Sequence, residues 1–165
     1  GGAMSKPVIS IIMGSQSDLE IVREAIDMLK EFKVGFEVKV LSAHRSPREL
    51  ARYVEEAPRR GIKVFIAVAG GAAALSGVIA AHTITPVIGI PIETKSLKGL
   101  DSLLSTVQMP AGVPVACMSI GKSGAKNAAI FALEILGIND KKINSRLSAY
   151  KNKMRLKIKN TKIKL

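Results

Sequence analysis

The sequence has one cysteine and few aromatic side chains. Among its 165 residues, Cys117 is the single cysteine, tryptophan is absent, and aromatic residues amount to 4%. One cysteine excludes an internal disulfide and a thiolate metal cluster, and it suits a reducing compartment. No apolar run reaches the roughly 18 residues of a membrane-spanning helix. Apolar residues make up 47% and charged residues 23% of the chain, which excludes disorder and indicates a globular protein.

Acidic residues are missing from the end of the chain. Residues 141–165 contain ten Lys or Arg and no Asp or Glu, whereas the rest has 15 basic and 13 acidic residues. The net charge of +12 therefore belongs mostly to this tail, and the nearly neutral body does not indicate nucleic-acid binding. An RNA-binding tail is an alternative, which the lack of interleaved aromatic residues disfavours.

Apolar residues in the tail have helical spacing. Ile143, Leu147, Tyr150 and Met154 follow one another at intervals of four, three and four residues, which predicts an apolar seam on a basic helix. A complete α/β core has no unused surface for such a helix. We therefore expect residues 139–165 to pack on neighbouring subunits, with a frayed end beyond about Lys157.

The beginning of the chain predicts neither a signal peptide nor a separate domain. Gly1–Ala3 resemble a remnant of expression before a natural start at Met4, and no charged segment followed by an apolar stretch is found there. We expect one domain over residues 4–165, with its core at about 8–138.

Short apolar runs alternate with segments of helical periodicity throughout that core. The predicted strands are Val8–Met13, Phe36–Leu41, Val64–Val68, Pro86–Ile92 and Pro114–Ile120. Helices are expected after Ser17, which has capping-box spacing to Glu20, and after Ser46. Two further helices are expected, one that ends at Ala81 and one over Lys126–Leu136. This alternation predicts a flavodoxin-like doubly wound parallel sheet in three αβα layers.

Unusual polar and small residues follow the first three strands, at the edge where such sheets bind ligands. Gly14–Asp18 precede a helix N-terminus, which favours an anion, although Ser17 and Asp18 are also explained as capping and helix-dipole residues. His44 is suited to proton transfer near neutral pH, and Arg45 to holding a phosphate. The alternative for His44 is a purely structural role. The run Ala69–Ala73 allows close approach of a ligand, or tight helix packing.

Several other site types are excluded by the pattern. The sequence has no GxGxxG motif for a dinucleotide. Gly121-Lys122-Ser123 matches the end of a P-loop, but Ala116 occupies the position where that motif needs its first glycine. His44 and His82 have no paired-ligand spacing, so we expect no metal. Cys117 lies in an apolar run and is expected to be a buried, inert thiol.

Six motifs in order resemble the class I N5-carboxyaminoimidazole ribonucleotide mutases, the phosphoribosylaminoimidazole carboxylase catalytic subunit family of purine biosynthesis. They are Met13–Asp18, Ser42–Pro47, Ala69–Ala73, Gly99–Leu104, Val107–Pro110 and Ile120–Ala128. The resemblance implies a cytoplasmic homo-octamer with sites at subunit contacts. It also implies an isomerase that moves a carboxyl group from N5 to C4 of its ribonucleotide substrate without a cofactor or metal. From the charge distribution and the apolar runs, we expect no nucleic-acid or membrane partner.

The resemblance also implies roles for individual residues. His44 would be the catalytic acid and base and would face the imidazole with Ser42. The ribose and 5′-phosphate would be held by Ser15, Asp18 and Arg45, next to Gly14 and Ser17. The pocket for the migrating carboxylate would be walled by Ala69, Gly70, Gly71 and Ala72.

The sequence departs from the class I pattern at one position. Ala74 stands where a second active-site histidine is usual, and Ala74-Leu75-Ser76-Gly77 looks like the class II relatives, which carboxylate aminoimidazole ribonucleotide directly with CO2. Arg45, Gly70 and Gly71 are class I-like and favour the mutase. The alternatives are a class II-like carboxylase, or an inactive binding homologue.

Overall fold

Residues 6–163 are described by the computed structural model, so the expected remnant Gly1–Ala3 lies outside them. The strands are β1 (Ile9–Met13), β2 (Phe36–Val40), β3 (Val64–Ala69), β4 (Val87–Pro91) and β5 (Ala116–Cys117). The helices are α1 (Leu19–Glu31), α2 (Pro47–Arg60), α3 (Leu75–Ala81), α4 (Leu100–Val107), α5 (Lys122–Gly137) and α6 (Lys141–Lys159). In this part of the chain, the strands form one parallel sheet in the order β2-β1-β3-β4-β5, which confirms the predicted fold.

Both faces of the sheet are covered, because successive side chains of a strand point to opposite sides. Ile9 and Ile11 of β1 belong to a core with α1, α5 and the start of α6. Ile12, between Ile11 and the end of β1, belongs to a second core with α2 and α3. The near-continuous apolar strands thus reflect burial on two faces.

The first helix begins differently from the prediction. Ser15 is extended and its side chain accepts a hydrogen bond from the Ser17 backbone N–H, so that it caps a short 3-10 turn over Gln16–Asp18. Helix α1 follows at Leu19 without a side-chain cap. The predicted capping box at Ser17 is therefore wrong, because the turn intervenes between the serine and the helix.

The second half of the sheet also differs in its boundaries. Strand β5 is limited to Ala116–Cys117, since Pro114 has no N–H to donate to a neighbouring strand. Helix α5 begins at Lys122 and includes Gly137, rather than ending before it. Its early start requires Gly124, where a Cβ would lie 1.6 Å from the Ser119 carbonyl oxygen.

Helix α4 has no counterpart among the sequence predictions. It packs on β4, where Gly89 lets it approach: a Cβ at position 89 would lie 2.4 Å from Thr106 Cγ2. The inner side of α4 carries Ser102 and Thr106, which are 0% and 2% exposed. Leu100, Leu104 and Val107 have helical spacing but are exposed, so the buried side of this helix is polar rather than apolar.

Helix α6 packs first on its own chain. Ile143 and Leu147 belong to the core formed with α1 and α5, and the Tyr150 ring meets Phe32 edge-on at 5.9 Å. The expectation that the core leaves no surface for this helix is therefore wrong for its first half. From Lys151 onward the described residues are exposed, and their packing on a neighbouring subunit stays a prediction. No helix within residues 6–163 combines the length and apolar character needed to cross a membrane.

Candidate active site

A cavity of about 390 Å³ opens at the carboxyl edge of the sheet, between the loops that follow β1, β2 and β3. The predicted site residues line it, except for Ser17 and Gly71. Five further residues complete the lining: Ala43, Ala73, Ala74, Leu75 and Ile92. Parallel strands bring these loops together because their carboxyl ends share one edge.

The loop after β1 presents oxygen atoms to the cavity. Ser15 Oγ accepts hydrogen bonds from the backbone N–H of Ser17 at 3.3 Å and from Ser17 Oγ at 2.9 Å. Asp18 is 8% exposed, and its burial raises the pKa of the carboxyl, against the hydrogen bonds from Ser17 and Ser15 that lower it. Ser15 thus supplies a hydroxyl, and Asp18 a carboxylate suited to accept from sugar hydroxyls.

The loop after β2 is held by hydrogen bonds between its own residues. The Ser42 backbone N–H donates to Ser46 Oγ at 2.9 Å, and Ser46 Oγ donates to the Ser42 carbonyl at 3.2 Å. The Arg45 backbone N–H donates to Ser42 Oγ at 3.2 Å. His44 lies within this closed turn and is exposed on the cavity side.

Arg45 connects the loops after β1 and β2. Its Nη2 donates to the Gly14 carbonyl at 2.9 Å, and its Nε lies 3.5 Å from Ser42 Oγ. The guanidinium carries five N–H donors, so these contacts leave further donors for an anionic ligand. Arg45 therefore combines loop positioning with a positive charge at the cavity.

The loop after β3 brings backbone rather than side chains to the cavity. A Cβ on Gly70 would lie 2.8 Å from Cγ1 of Ile92, so the glycine allows Ile92 to close one wall. Gly71 has a φ of +68°, a left-handed conformation that favours glycine. Tight packing and ligand access, the two interpretations of this small-residue run, are both compatible with its geometry.

Some of the residues considered from the sequence lie apart from the cavity. Ser17 faces away but supports Ser15 and Asp18 through its hydroxyl. His82 pairs with Glu55, with Nδ1 3.1 Å from Oε1, and does not line the cavity. Cys117 is partly buried in β5, and burial raises the pKa of its thiol, which keeps it protonated and unreactive at neutral pH.

Sequence reasoning missed Ile92 although a signal for it exists. Ile92 comes directly after β4, and the rule that placed the other loops at the carboxyl edge applies to this strand as well. Ala43, Ala73, Ala74 and Leu75 adjoin residues that were predicted. Their methyl and isobutyl groups add apolar surface to the cavity lining.

The fold and this cavity define a flavodoxin-like α/β protein with a cavity at the carboxyl edge of its sheet that is lined by an arginine, a histidine, hydroxyl groups and a carboxyl group. The sequence pattern of the AIR carboxylase family matches residues 8–157. The chain belongs to this family.

Named relatives and a solved structure agree with this assignment. A Pyrococcus abyssi protein named N5-carboxyaminoimidazole ribonucleotide mutase is 55% identical over 149 residues, which are 90% of this chain and 84% of that protein. A Bacillus subtilis protein of the same name is 54% identical over 142 residues, 86% of this chain and 88% of the relative. The crystal structure of Treponema denticola PurE has a TM-score of 0.84 and 28% identity, and the match covers 92% of this chain and 94% of the other.

Proposed function

We propose that this protein is an N5-carboxyaminoimidazole ribonucleotide mutase in which His44 acts first as an acid and then as a base. The reaction forms 4-carboxy-5-aminoimidazole ribonucleotide, an isomer of the substrate, so the enzyme is an isomerase of purine biosynthesis. Relatives of that name share about half of its residues over most of the chain. The observation that carries the proposal is one cavity containing His44, Arg45, Ser15 and Asp18 opposite a loop of Gly and Ala.

The substrate's phosphate and sugar fit the polar residues that line the cavity. Arg45 offers charge-assisted hydrogen bonds to the 5′-phosphate, and Ser15 offers a hydroxyl to the same group. The buried Asp18 carboxylate accepts from the ribose hydroxyls. The Gly14 carbonyl supports Arg45, and the Ser17 hydroxyl supports Ser15 and Asp18. The imidazole ring then lies between Ser42 and His44.

The first chemical step cleaves the substrate's carbamate. Protonated His44 donates its proton to N5, the C–N bond breaks, and its electron pair stays on the nitrogen while CO2 leaves. A carbamate loses CO2 readily once its nitrogen is protonated. General acid catalysis of this kind contributes about 10²–10⁴-fold.

The freed CO2 then has to be kept beside the ring. The loop Ala69–Ala72 offers no polar side chain to bind water, and Gly70 and Ala72 line the cavity directly. Exclusion of water and a confined volume prevent loss of the intermediate, and proximity replaces a bimolecular encounter.

The second chemical step forms the new carbon–carbon bond. C4 of the electron-rich ring attacks CO2, and neutral His44 removes the C4 proton to restore the aromatic ring. The proton removed equals the proton given in the first step, so His44 returns to its starting state. One histidine is therefore sufficient, and no step requires a side chain at Ala74.

We further infer a homo-octamer in the cytoplasm, with the sites at subunit contacts. An apolar stripe of Leu100, Leu104 and Val107 along α4, extended by Leu97 just before the helix, is 46–58% exposed in the single chain. Exposed stripes of this kind are typical of subunit interfaces. Light scattering is expected to give the mass of an octamer rather than the 17.6 kDa of one chain; a monomer would contradict this inference.

A two-substrate turnover assay tests the function. One reaction contains N5-carboxyaminoimidazole ribonucleotide, the other aminoimidazole ribonucleotide with bicarbonate, and formation of the C4-carboxylated product is followed in both. Fast turnover of the first alone supports the mutase. Efficient turnover of the second identifies a direct carboxylase, the alternative that Ala74-Leu75-Ser76-Gly77 favours. Binding without turnover of either substrate identifies an inactive homologue.

A further inference from the structure

We infer that Ser102 of α4 is a positioning residue that holds the loop Ala69–Ala73 in place, so that CO2 is transferred to C4 instead of escaping. The inference rests on the proposed function. It also assigns a role to the motif Gly99–Leu104, which the chemistry described above does not use.

Ser102 and Ser105 bind the same residue of the loop. Ser102, which is 0% exposed, accepts a hydrogen bond at Oγ from the Gly71 backbone N–H at 2.9 Å. Ser105 Oγ donates to the Asp101 carbonyl at 2.7 Å and lies 3.3 Å from the Gly71 carbonyl oxygen, which also accepts from the Ala73 backbone N–H at 2.8 Å. The backbone N–H of Gly71 is therefore anchored by Ser102 of α4, and its carbonyl oxygen is bound mainly within the loop.

This arrangement explains why Gly71 does not line the cavity while its neighbours do. With its N–H held by Ser102 of α4 and its carbonyl by the Ala73 N–H, Gly71 adopts its left-handed conformation. Gly70 and Ala72, on either side, then line the cavity. The loop consists only of Gly and Ala and has no polar side chain with which to anchor itself.

Helix α4 is a rigid support for this loop. Asp101 in its first turn accepts hydrogen bonds from Thr94 Oγ1 at 2.8 and 3.0 Å. Thr106, one turn beyond Ser102, packs against Gly89 of β4. The position of Gly71, and with it the cavity wall, is thus tied to the sheet through α4.

Release of this contact is expected to change how the reaction divides between two products. Substrate that loses CO2 gives either the C4-carboxylated product or, when CO2 escapes, aminoimidazole ribonucleotide. A misplaced wall affects retention of CO2 more than cleavage of the carbamate. A general loss of folded protein lowers both products equally and leaves their ratio unchanged.

The experiment measures both products from N5-carboxyaminoimidazole ribonucleotide, after subtraction of the spontaneous decarboxylation in an enzyme-free blank. Ser102→Ala is expected to raise the fraction released as aminoimidazole ribonucleotide about tenfold, and to lower product turnover by about 10–100-fold. Ser105→Ala, at an exposed position, is expected to shift the ratio less, in the same direction. Thr106→Val is the control, and its product ratio is expected to stay unchanged. Among the described contacts, the Thr106 hydroxyl donates only to the Ser102 carbonyl within α4.

The outcomes separate this inference from the proposed function. If the unaltered enzyme forms no C4-carboxylated product from this substrate, the proposed function fails. If the unaltered enzyme is active and Ser102→Ala divides its products in the same ratio, the inference is overturned. Should Ser102→Ala not fold, Ser102→Cys decides, because it keeps the size of the side chain and replaces the hydroxyl by a weakly accepting thiol; an unchanged ratio in that variant overturns the inference as well.

Discussion

Removal of one phenolic oxygen, in Tyr53→Phe, is expected to destabilise the protein without affecting its chemistry. Tyr53 of α2 accepts a hydrogen bond from Ser10 Oγ and donates one to Glu37 Oε1. Ser10 is 0% exposed in the middle of β1. Arg60 also binds Glu37, with Nη2 2.9 Å from Oε1. This network connects α2 to the sheet far from the cavity lining.

The size of the stability loss follows from the polar groups that Tyr53→Phe leaves without a partner. Glu37 keeps Arg60 as a partner, whereas the buried Ser10 hydroxyl loses the partner identified for it. An orphaned buried polar group costs about 1–3 kcal/mol, so we expect a loss of about 2 kcal/mol. For a chain of this length that corresponds to a Tm lower by about 4–8 °C.

A double-mutant cycle in urea unfolding measures the coupling directly. Ser10→Ala/Tyr53→Phe removes both partners and leaves no orphan, so its loss of stability is expected to be smaller than the sum of the two single losses. Turnover per folded enzyme is expected to be unchanged in all three variants. Strict additivity of the two substitutions would refute the reasoning.

The same network predicts a dependence on alkaline pH. Burial, reinforced by the Glu37 carboxylate, raises the pKa of Tyr53 to about 12. Because the folded value lies above the ordinary value of about 10, this contribution to stability is fully present below pH 10. It is lost as pH rises through 12. The stability difference between the unaltered protein and Tyr53→Phe is therefore expected to shrink over that interval; a constant difference contradicts the shift.

Three predictions concern the site. His44→Asn is expected to lower turnover by about 10²–10⁴-fold while calorimetry still detects substrate binding, and normal turnover would exclude the acid–base role. Arg45→Lys is expected to raise the KM of the ribonucleotide substrate by at least about tenfold, because one ammonium cannot replace the contacts to Gly14, Ser42 and the phosphate. The matched control is Arg48→Lys, one turn further along on the exposed side of α2. Equal KM values for the two variants would contradict the role of Arg45. Ala74→His adds an imidazole to the cavity wall and is expected to lower the KM of the ribonucleotide substrate, whereas an unchanged or higher KM would show that position 74 does not contribute to binding.

Local chemistry was sufficient to predict the fold class and most of the cavity. Near-continuous apolar strands such as Val64–Ala69 can be buried only between two helical layers, and their alternation with helices leaves the parallel sheet as the architecture. The rule that ligands bind at the carboxyl edge of a parallel sheet then predicts Ser15, His44 and Arg45 at one site. Strand periodicity and connection geometry depend on residues that are close in the sequence, and they can therefore be predicted from it.

Other features depend on which distant surfaces meet, and only the tertiary structure decided them. The place of Ser102 against Gly71 depends on how closely α4 approaches β4 at Gly89, a contact that no local pattern records. The first half of α6 packs on an apolar surface of α1 and α5 that the pattern of strands and helices did not predict. The sequence by itself determined which residues are suited to the chemistry, because proton transfer and phosphate binding require particular side chains. Tertiary packing determined which backbone atoms those residues face, because a hydrogen bond requires its two partners within about 3 Å of each other.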